Sequence, residues 1–277
     1  MNTFRRKRLT SDMKTPEQLI RESKKIVIKL GSNTISDETG KVNREIMKAI
    51  TAQVMQLINS GKRVVIVSSG AGSCGVAAIN KWSRKSDINY KQALCAIGQV
   101  ELMNAYKELF SEYGLHVAQL LLTKEDFQDH HRELNIRNAL FTLVDEGVIP
   151  IVNENDSVSV DEIKIGDNDT LSALTANLWA ADLLILMSDI DGVYDKDPNT
   201  YDDAVLIESV SNVEELRKNI STEGKSEFGT GGMVTKLHAA EIVNRFGASM
   251  IITNSRKENI LGKLAAGEEK ATVFCCE

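Results

Sequence analysis

The feature that most constrains the fold is a unit that recurs along the chain: a short apolar run, a turn of small polar residues and a helical segment. Amphipathic segments such as Asn43–Gly61 and Tyr90–Tyr113 separate the apolar runs. Strands that alternate with helices favour a mainly parallel sheet covered on both faces. We therefore predict an α/β fold, a three-layer αβα sandwich with a mainly parallel sheet. The predicted strands are Lys25–Leu30, Arg63–Val67, His116–Leu122, Val148–Val152, Asp182–Met187, Val205–Val210, Ser249–Thr253 and Thr272–Cys276.

Further helices and their ends follow from the same periodicity. Asn43 is expected to cap its helix, and Asp167 or Asn168 to cap the helix at Asp169–Ala181. Residues 1–23 are polar and charged, and we interpret them as a tail or an extra helix outside the core. Residues 24–277 are expected to form one domain with two lobes. The other predicted helices are Arg132–Glu146, Asn212–Ile220, Met233–Phe246 and Ile260–Leu264.

Charge and composition narrow the class of protein. The net charge of −6 over 277 residues argues against a nucleic-acid surface, because phosphate contacts need clustered Lys and Arg. The basic run Arg5–Arg8 precedes no apolar segment, so it is not a secretory signal. No apolar run reaches the length of about 18 residues that a membrane-spanning helix needs. The four cysteines lack C-x-x-C spacing, which predicts free thiols and a cytoplasmic protein, with zinc unsupported.

Polar turns follow four of the predicted strands. They are Gly31-Ser32, Ser69-Gly70, Asn153–Asp156 and Ser188-Asp189. The carboxyl ends of parallel strands lie at one edge of a sheet, and ligands of such sheets bind there. The four turns therefore predict a single ligand site at that edge.

Three glycine-rich turns suggest that this ligand carries phosphate. They follow Leu30 and Ser69 and fill Gly229–Gly232, and each opens a helix. Free N–H groups and the helix dipole favour anions at such places. No turn matches the P-loop or the dinucleotide-binding motif. The alternative is that these turns are only tight turns and helix starts.

Two lysines and one aspartate make phosphoryl transfer a specific hypothesis. Lys29 ends the first predicted strand, and Lys236 lies early in the helix that Gly231-Gly232 opens. Two ammonium groups would neutralise a transferring phosphoryl group, and Asp169 would hold both by charge-assisted hydrogen bonds. The alternatives are a strand-end lysine that reaches solvent and a lysine on a solvated helix face.

The acidic stretch between Asn153 and Asp169 has other interpretations. It holds six carboxylates and three asparagines. The calcium-loop pattern is absent, and glycoside hydrolysis would leave the glycine-rich turns without a role. The segment Asp189–Asp197 either lines a nucleotide pocket or is a polar turn. The four histidines have no metal-ligand spacing, and no G-x-S-x-G elbow occurs.

Five motifs occur in one order along the chain: KLGSN at Lys29–Asn33, VSSGA at Val67–Ala71, NEND at Asn153–Asp156, GDND at Gly166–Asp169 and GTGGMVTK at Gly229–Lys236. Together they resemble the amino acid kinase family. The resemblance runs from about Lys25 to the C-terminus, and it is closest to the members that phosphorylate glutamate. The segment SDIDGVYDKDP discriminates less, since uridylate kinases of the superfamily carry a similar one. Val234 departs from the pattern, where a small polar residue is expected.

The resemblance implies ATP-dependent phosphorylation of the γ-carboxylate of L-glutamate, the first step of proline biosynthesis, with Mg²⁺ held through the ATP phosphates. By position, Lys29 and Lys236 would stabilise the transferring phosphoryl group, and Asp169 would organise them. The residues expected to bind glutamate are Ser69, Asn153, Asp156 and Asn168. Those expected to bind the nucleotide are Lys29, Ser188, Asp189, Thr230, Gly231, Gly232, Met233, Val234, Thr235 and Lys236.

The resemblance also implies partners and leaves alternatives open. It implies a homo-oligomer (a dimer or a tetramer), feedback inhibition by proline and a transient contact with glutamyl phosphate reductase. Many relatives continue into a PUA module, and we expect the shorter form without it. The alternatives are an acetylglutamate or uridylate kinase, a catalytically silent amino-acid sensor, and a nucleotide-binding scaffold without turnover.

Overall fold

A computed structural model describes residues 14–80, 87–158, 168–219 and 232–275. Within these ranges, eight strands form one sheet. They are β1 (Lys25–Leu30), β2 (Arg63–Ser68), β3 (Val117–Leu122), β4 (Ile149–Glu154), β5 (Leu183–Ser188), β6 (Ser209–Val210), β7 (Ser249–Asn254) and β8 (Thr272–Phe274). Their order across the sheet is β3-β4-β2-β1-β5-β7-β8-β6.

Helices connect these strands, with a short 3₁₀ turn at Lys124–Phe127. In the described parts of the chain, none of the helices is both long enough and apolar enough to span a membrane. The helices are α1 (Pro16–Glu22), α2 (Ser32–Ile35), α3 (Arg44–Asn59), α4 (Ala71–Ile79), α5 (Ile88–Ser111), α6 (His130–Asp145), α7 (Asn168–Trp179), α8 (Val213–Asn219), α9 (Met233–Arg245) and α10 (Ile260–Ala266).

The sheet is mainly parallel. The neighbours β3, β4, β2, β1, β5 and β7 all pair in parallel, whereas β8 runs antiparallel to β7 and β6 runs parallel to β8. Two separate apolar clusters cover the two faces of the sheet. The predicted α/β class with a mainly parallel sheet between helical layers is confirmed.

Alternation along β1 decides which way its lysine faces. Ile26, Ile28 and Leu30 pack in the cluster that also contains residues of α3 and α5. Val27 packs in the opposite cluster, with residues of α7 and α9. Successive strand residues point to opposite faces, so Lys29 shares the face of Val27. This register directs Lys29 toward α7 and α9.

Residues 16–22 form the extra helix expected as one interpretation of the N-terminal segment, but the interpretation that this segment lies outside the core was wrong. Thr15 caps α1 through a capping box with Gln18, and the helix buries Leu19 and Ile20 in the same cluster as β1. The two apolar residues were too few to reveal this packing, because the rest of the segment is charged. Residues 1–13 lie outside the described part, and the division at residue 24 stays a prediction.

One smaller prediction was also wrong, and the cap of α7 stays a prediction for Asp167 alone. The expected strand Val205–Val210 is reduced to β6 and an isolated bridge from Leu206 to Tyr194. Asn168 does not cap α7 but is its first residue, and its side chain bonds to groups outside the helix. Asp167, the other candidate cap, lies outside the described residues. The expected cap at Asn43 is confirmed, since its Oδ1 accepts from Ile46 N at 3.2 Å.

Helices α4 and α5 cross at a distance that only glycine permits. A Cβ added at Gly98 would lie 1.8 Å from the Ala71 carbonyl oxygen, and one added at Gly75 would lie 1.9 Å from the Leu94 carbonyl oxygen. These are backbone atoms, so no side-chain rotation relieves the clash. The crossing fixes α5 against the turn that leads into α4.

We expect Gly98→Ala to destabilise the fold by about 1–3 kcal/mol, because the two helices must move apart to admit the methyl group. Urea unfolding measures the change in free energy. The control is Gly72→Ala in α4, where the added Cβ would meet only Cys95 Sγ at 3.4 Å. Equal losses of unfolding free energy in the two variants would contradict the conclusion that the crossing of α4 and α5 requires glycine.

Candidate active site

The four predicted polar turns lie at one edge of the sheet. They follow β4, β2, β1 and β5, which are consecutive neighbours and run in parallel. The prediction that these turns converge is therefore confirmed. The site has one side at β2 and β4 and a second side at β5 and α9, with β1 between them. After the ligands predicted there, we call them the acceptor side and the nucleotide side.

Lys29, Asp169 and Lys236 form a buried ionic cluster at the centre of this edge. Lys29 Nζ lies 2.5 Å from Asp169 Oδ1, and Lys236 Nζ lies 3.0 Å from Asp169 Oδ2. The exposed fractions are 7% for Lys29, 1% for Asp169 and 6% for Lys236. Each carboxylate oxygen thus receives one ammonium group. The alternatives of a solvent-reaching strand-end lysine and a solvated helix-face lysine are wrong, because both side chains are buried and paired.

The electrostatics of the cluster follow from its burial and its charge. Burial alone would raise the pKa of Asp169, but the charges and hydrogen bonds of Lys29 and Lys236 outweigh that effect and hold the pKa well below its usual range. The cluster contains two positive charges and one negative charge. An anion placed beside it would complete the charge balance, which suits a phosphoryl group.

A network of amides and hydroxyls forms the acceptor side. Asn168 Nδ2 lies 2.7 Å from Ser69 Oγ, 2.9 Å from Asn153 Oδ1 and 3.0 Å from Ser68 O, and these three acceptors share its two hydrogens. The structure therefore brings together three of the four residues predicted to bind the acceptor. Asn168 Oδ1 is buried and has no hydrogen-bond partner among the described residues.

Gly70 allows the turn of the acceptor side to approach α2. Its φ of +101° is in the left-handed region, and a Cβ there would lie 2.9 Å from Ile35 Cγ2. Any larger residue would be strained and would also clash. The neighbouring Ser69 lies within hydrogen-bond distance of Asn168.

Asp156, the fourth predicted residue, lies in the turn after β4 and is half-buried. Burial raises the pKa of its carboxyl group, and a hydrogen bond with the Cys95 thiol opposes the rise. Asp156 has no contact with Asn153 or Asn168 among the hydrogen bonds of the described residues. A partly desolvated carboxylate at the margin of the network is suited to bind a cationic group.

The predicted nucleotide residues after β5 contact the turn after β1. Asn33 Nδ2 donates to Asp189 Oδ2 at 3.2 Å, and Ser188 Oγ donates to Asp189 Oδ1 at 3.1 Å. Ser255 Oγ lies 2.7 Å from Thr34 Oγ1 and donates to Ser188 O at 2.9 Å. These contacts hold the two turns side by side.

The start of α9 completes the second side of the site. Gly232 precedes the helix, and Thr235 Oγ1 donates to Gly232 O at 2.7 Å and lies 3.3 Å from Asp169 Oδ2. Met233 is partly exposed and Val234 is exposed. Thr230 and Gly231, also predicted to bind the nucleotide, lie outside the described residues.

The sequence did not reveal several groups that support these side chains. Asn33 and Ser255 contact the turn after β5, and Gln99 Oε1 accepts from Asn153 Nδ2 at 2.9 Å. Gln99 had one detectable sign: it interrupts the apolar stripe that includes Leu102 and Tyr106 on α5. Asn33 belongs to the KLGSN motif but was given no role, and Ser255 is a turn residue that no pattern marked.

We expect Asp169→Asn to reduce stability by about 3–5 kcal/mol at neutral pH, because two buried ammonium groups lose their counter-charge. Pairing lowers the folded-state pKa of Asp169. Its contribution is therefore complete above the unfolded pKa of about 3.9 and is lost as the pH falls toward the folded-state value. Urea unfolding between neutral and acidic pH measures the difference between wild type and variant.

The control is Asp145→Asn, which breaks an exposed ion pair with Arg63 and should change stability by at most about 1 kcal/mol. The difference between wild type and Asp169→Asn should be constant above about pH 5 and shrink below about pH 4. A difference that grows on acidification would contradict this account of the cluster.

Comparisons with known proteins agree with this geometry. Residues 24–254 match the amino acid kinase family. A glutamate 5-kinase of Alkaliphilus metalliredigens (strain QYMF) is 60% identical over 258 residues, which cover 93% of this chain and 98% of the relative. A glutamate 5-kinase of Clostridium acetobutylicum is 44% identical over 262 residues, covering 95% of this chain and 98% of the relative.

Solved structures share the fold at low sequence identity. The UMP kinase of Ureaplasma parvum superposes with a TM-score of 0.65 and 17% identity, covering 91% of this chain and 98% of the other. An isopentenyl phosphate kinase gives a TM-score of 0.61 and 16% identity, covering 90% and 99%. From its sequence match and the relatives that it resembles along almost its whole length, the chain belongs to the amino acid kinase family, among relatives named glutamate 5-kinase.

Proposed function

We propose that this chain transfers the γ-phosphoryl group of ATP to the γ-carboxylate of L-glutamate and forms L-glutamyl 5-phosphate, the first step of proline biosynthesis. The observation that carries the proposal is the position of the Lys29–Asp169–Lys236 cluster. It lies between an amide-lined acceptor side and the turns after β1 and β5. The names and similarity of the relatives support the same activity.

The residues suit a reaction that needs charge neutralisation more than proton transfer. The glutamate γ-carboxylate is ionised at neutral pH, so it attacks without a general base. The difficulty lies in bringing two anions together, which fixed cations overcome. Lys29 and Lys236 would lie on the equatorial oxygens of the transferring group. Asp169 would hold both ammonium groups in place without entering the reaction.

The acceptor side suits an amino acid. Asp156 would pair with the glutamate ammonium group. Ser69 and Asn168 would orient the substrate without adding negative charge beside its two carboxylates, and Asn153 would support Asn168 through the 2.9 Å hydrogen bond between them. Asn168 Oδ1, which is buried and has no partner among the described residues, would accept from the same ammonium group.

ATP would occupy the second side of the site, against Ser188, Asp189 and the segment from Thr230 to Lys236. Asp169 already binds two lysines, so it is not available as a metal ligand. This donor set fits Mg²⁺ bound mainly through the ATP phosphates and water. When bound, the ion would reduce the charge of the phosphates, and Lys29 and Lys236 would act on the transferring group itself.

The family suggests further properties, which we include in the proposal. The chain would act in the cytoplasm as a homo-oligomer, a dimer or a tetramer, with proline as a feedback inhibitor. Its labile acyl phosphate would pass to a glutamyl phosphate reductase through transient contact, which the reactivity of the product favours. Residues 24–277 would form the kinase domain, and α1 of the N-terminal segment packs against it.

A direct test compares ADP formation with L-glutamate, N-acetylglutamate and UMP, in the presence of ATP and Mg²⁺. We expect turnover with glutamate, trapped by hydroxylamine as the hydroxamate. A preference for N-acetylglutamate or UMP would replace this proposal with another kinase of the family. No turnover with any of them would favour an amino-acid sensor, although both lysines are present and paired.

We expect Asp156→Asn to raise the KM for glutamate at least tenfold while the KM for ATP changes less than twofold, because only the ammonium contact is lost. Burial raises the pKa of Asp156. On acidification, the wild-type KM for glutamate should therefore begin to rise at a pH higher than the usual carboxyl pKa range. Steady-state kinetics at several pH values measure both effects.

The variant should lack the acidic rise in KM that the wild type shows. Asp145→Asn, at the opposite end of the sheet beside Arg63, serves as the control and should match wild type. An unchanged glutamate KM in Asp156→Asn would exclude the ammonium contact.

A further inference from the structure

Gln99 is a buried amide on α5 that links three elements of the fold. Its Nε2 donates to Gln119 Oε1 on β3 at 3.1 Å, and its Oε1 accepts from Asn153 Nδ2 on β4 at 2.9 Å. The exposed fraction of Gln99 is 7%. A buried amide costs free energy unless both of its ends are bonded, and Gln99 satisfies both.

Backbone groups fix the direction of every hydrogen bond in this network. The N–H of Glu154 donates to Asn153 at 2.9 Å, so the Asn153 atom that it meets is the oxygen, and the amide nitrogen must face Gln99. The carbonyl of Ser68 accepts from Asn168 at 3.0 Å, so the Asn168 atom there is the nitrogen. The two directions agree, because Asn168 Nδ2 donates to Asn153 Oδ1 at 2.9 Å.

As a result, one hydrogen-bond acceptor of this network, Asn168 Oδ1, has no partner among the described residues. Asn168 Nδ2 lies within hydrogen-bond distance of Ser68 O, Ser69 Oγ and Asn153 Oδ1, and all three are acceptors, so none of these contacts involves Oδ1. That oxygen is buried and has no hydrogen-bond partner among the described residues. An unpaired buried acceptor is unfavourable, and a donor on a bound ligand would remove the cost.

We propose that Gln99 is a positioning residue for the acceptor substrate. It holds Asn153 by the amide nitrogen, and Asn153 in turn holds Asn168 so that Asn168 Oδ1 faces the ammonium group of glutamate. This inference rests on the proposed function, because it takes glutamate as the acceptor. Gln99 itself touches no substrate and has no hydrogen bond to Lys29, Asp169 or Lys236 among the described residues.

Removal of the Gln99 side-chain carbonyl should weaken the binding of glutamate and leave the binding of ATP unchanged. Asn153 Nδ2 would be left buried without an acceptor, and rotation of the Asn153 side chain to find one would break its bonds with Glu154 N or Asn168. The contacts of Asn33, Ser188 and Asp189 on the nucleotide side do not include Gln99. Glutamate binding should therefore weaken while ATP binding is kept.

The test is steady-state kinetics of Gln99→Leu and Gln99→Met in the full chain, with glutamate and ATP varied separately. We expect the KM for glutamate to rise at least tenfold and the KM for ATP to stay within twofold of wild type. Thermal unfolding reports whether each variant is folded. Gln99→Met keeps an unbranched side chain of similar length, so it remains testable if Gln99→Leu fails to fold.

Two further variants separate positioning from general damage. Gln119→Leu removes only the outer partner, which is exposed, so water can replace it and the glutamate KM should match wild type. Gln99→Glu keeps an acceptor for Asn153 Nδ2, and its glutamate KM should lie closer to wild type than that of Gln99→Leu.

An unchanged glutamate KM in Gln99→Leu or Gln99→Met, with normal wild-type turnover, would overturn this inference alone. An equal rise of both KM values would also overturn it, since that result indicates a structural role. Absence of wild-type turnover with glutamate would overturn the proposed function together with this inference.

Discussion

The buried ion cluster of Lys29, Asp169 and Lys236 is the interaction on which the rest of the site depends. Each ammonium group lies within 3.0 Å of a carboxylate oxygen, and all three side chains are at least nine-tenths buried. Buried charges are tolerated only when they are paired and geometrically fixed. The three residues come from β1, α7 and α9, so the cluster ties the central strand to two helices of one layer.

The two sides of the site are built in different ways. On the acceptor side, neutral amides and hydroxyls determine geometry through directed hydrogen bonds, and the close crossing of α4 and α5 places Gln99 within reach of Asn153. On the nucleotide side, short turns contact each other through Asn33 and Ser255. The proposed division of labour follows from this contrast: rigid neutral groups select an anionic amino acid, and cations act where the phosphoryl group passes.

Much of the fold could be predicted from the sequence, because its units are local. The apolar run of β1, the cap at Asn43 and the polar turn after each central strand are all visible within a few residues. Because the strands before these four polar turns are neighbours in the sheet, the turns lie together and form one site. The packing of α1 was missed because only Leu19 and Ile20 mark it. Nothing local indicates that Gln99 and Asn153, 54 residues apart, share a hydrogen bond.

The roles of the ionic cluster were predicted by charge type and by resemblance, whereas its geometry required the tertiary structure. A lysine at a strand end and a lysine on a helix are ordinary in isolation. Only the register of β1, which turns Lys29 to the face of α7 and α9, makes Asp169 their common partner. This register also explains why the cluster lies at the boundary between the two sides.

The central claim is that the cluster acts on phosphoryl transfer far more than on the binding of either substrate. A single-turnover measurement of Lys236→Met, with ATP and glutamate affinities determined separately by calorimetry, tests it most directly. The account predicts that the rate of phosphoryl transfer falls by about 10²–10³ while both affinities stay within a few-fold of wild type. A wild-type transfer rate in the folded variant, or a loss confined to binding, would contradict it.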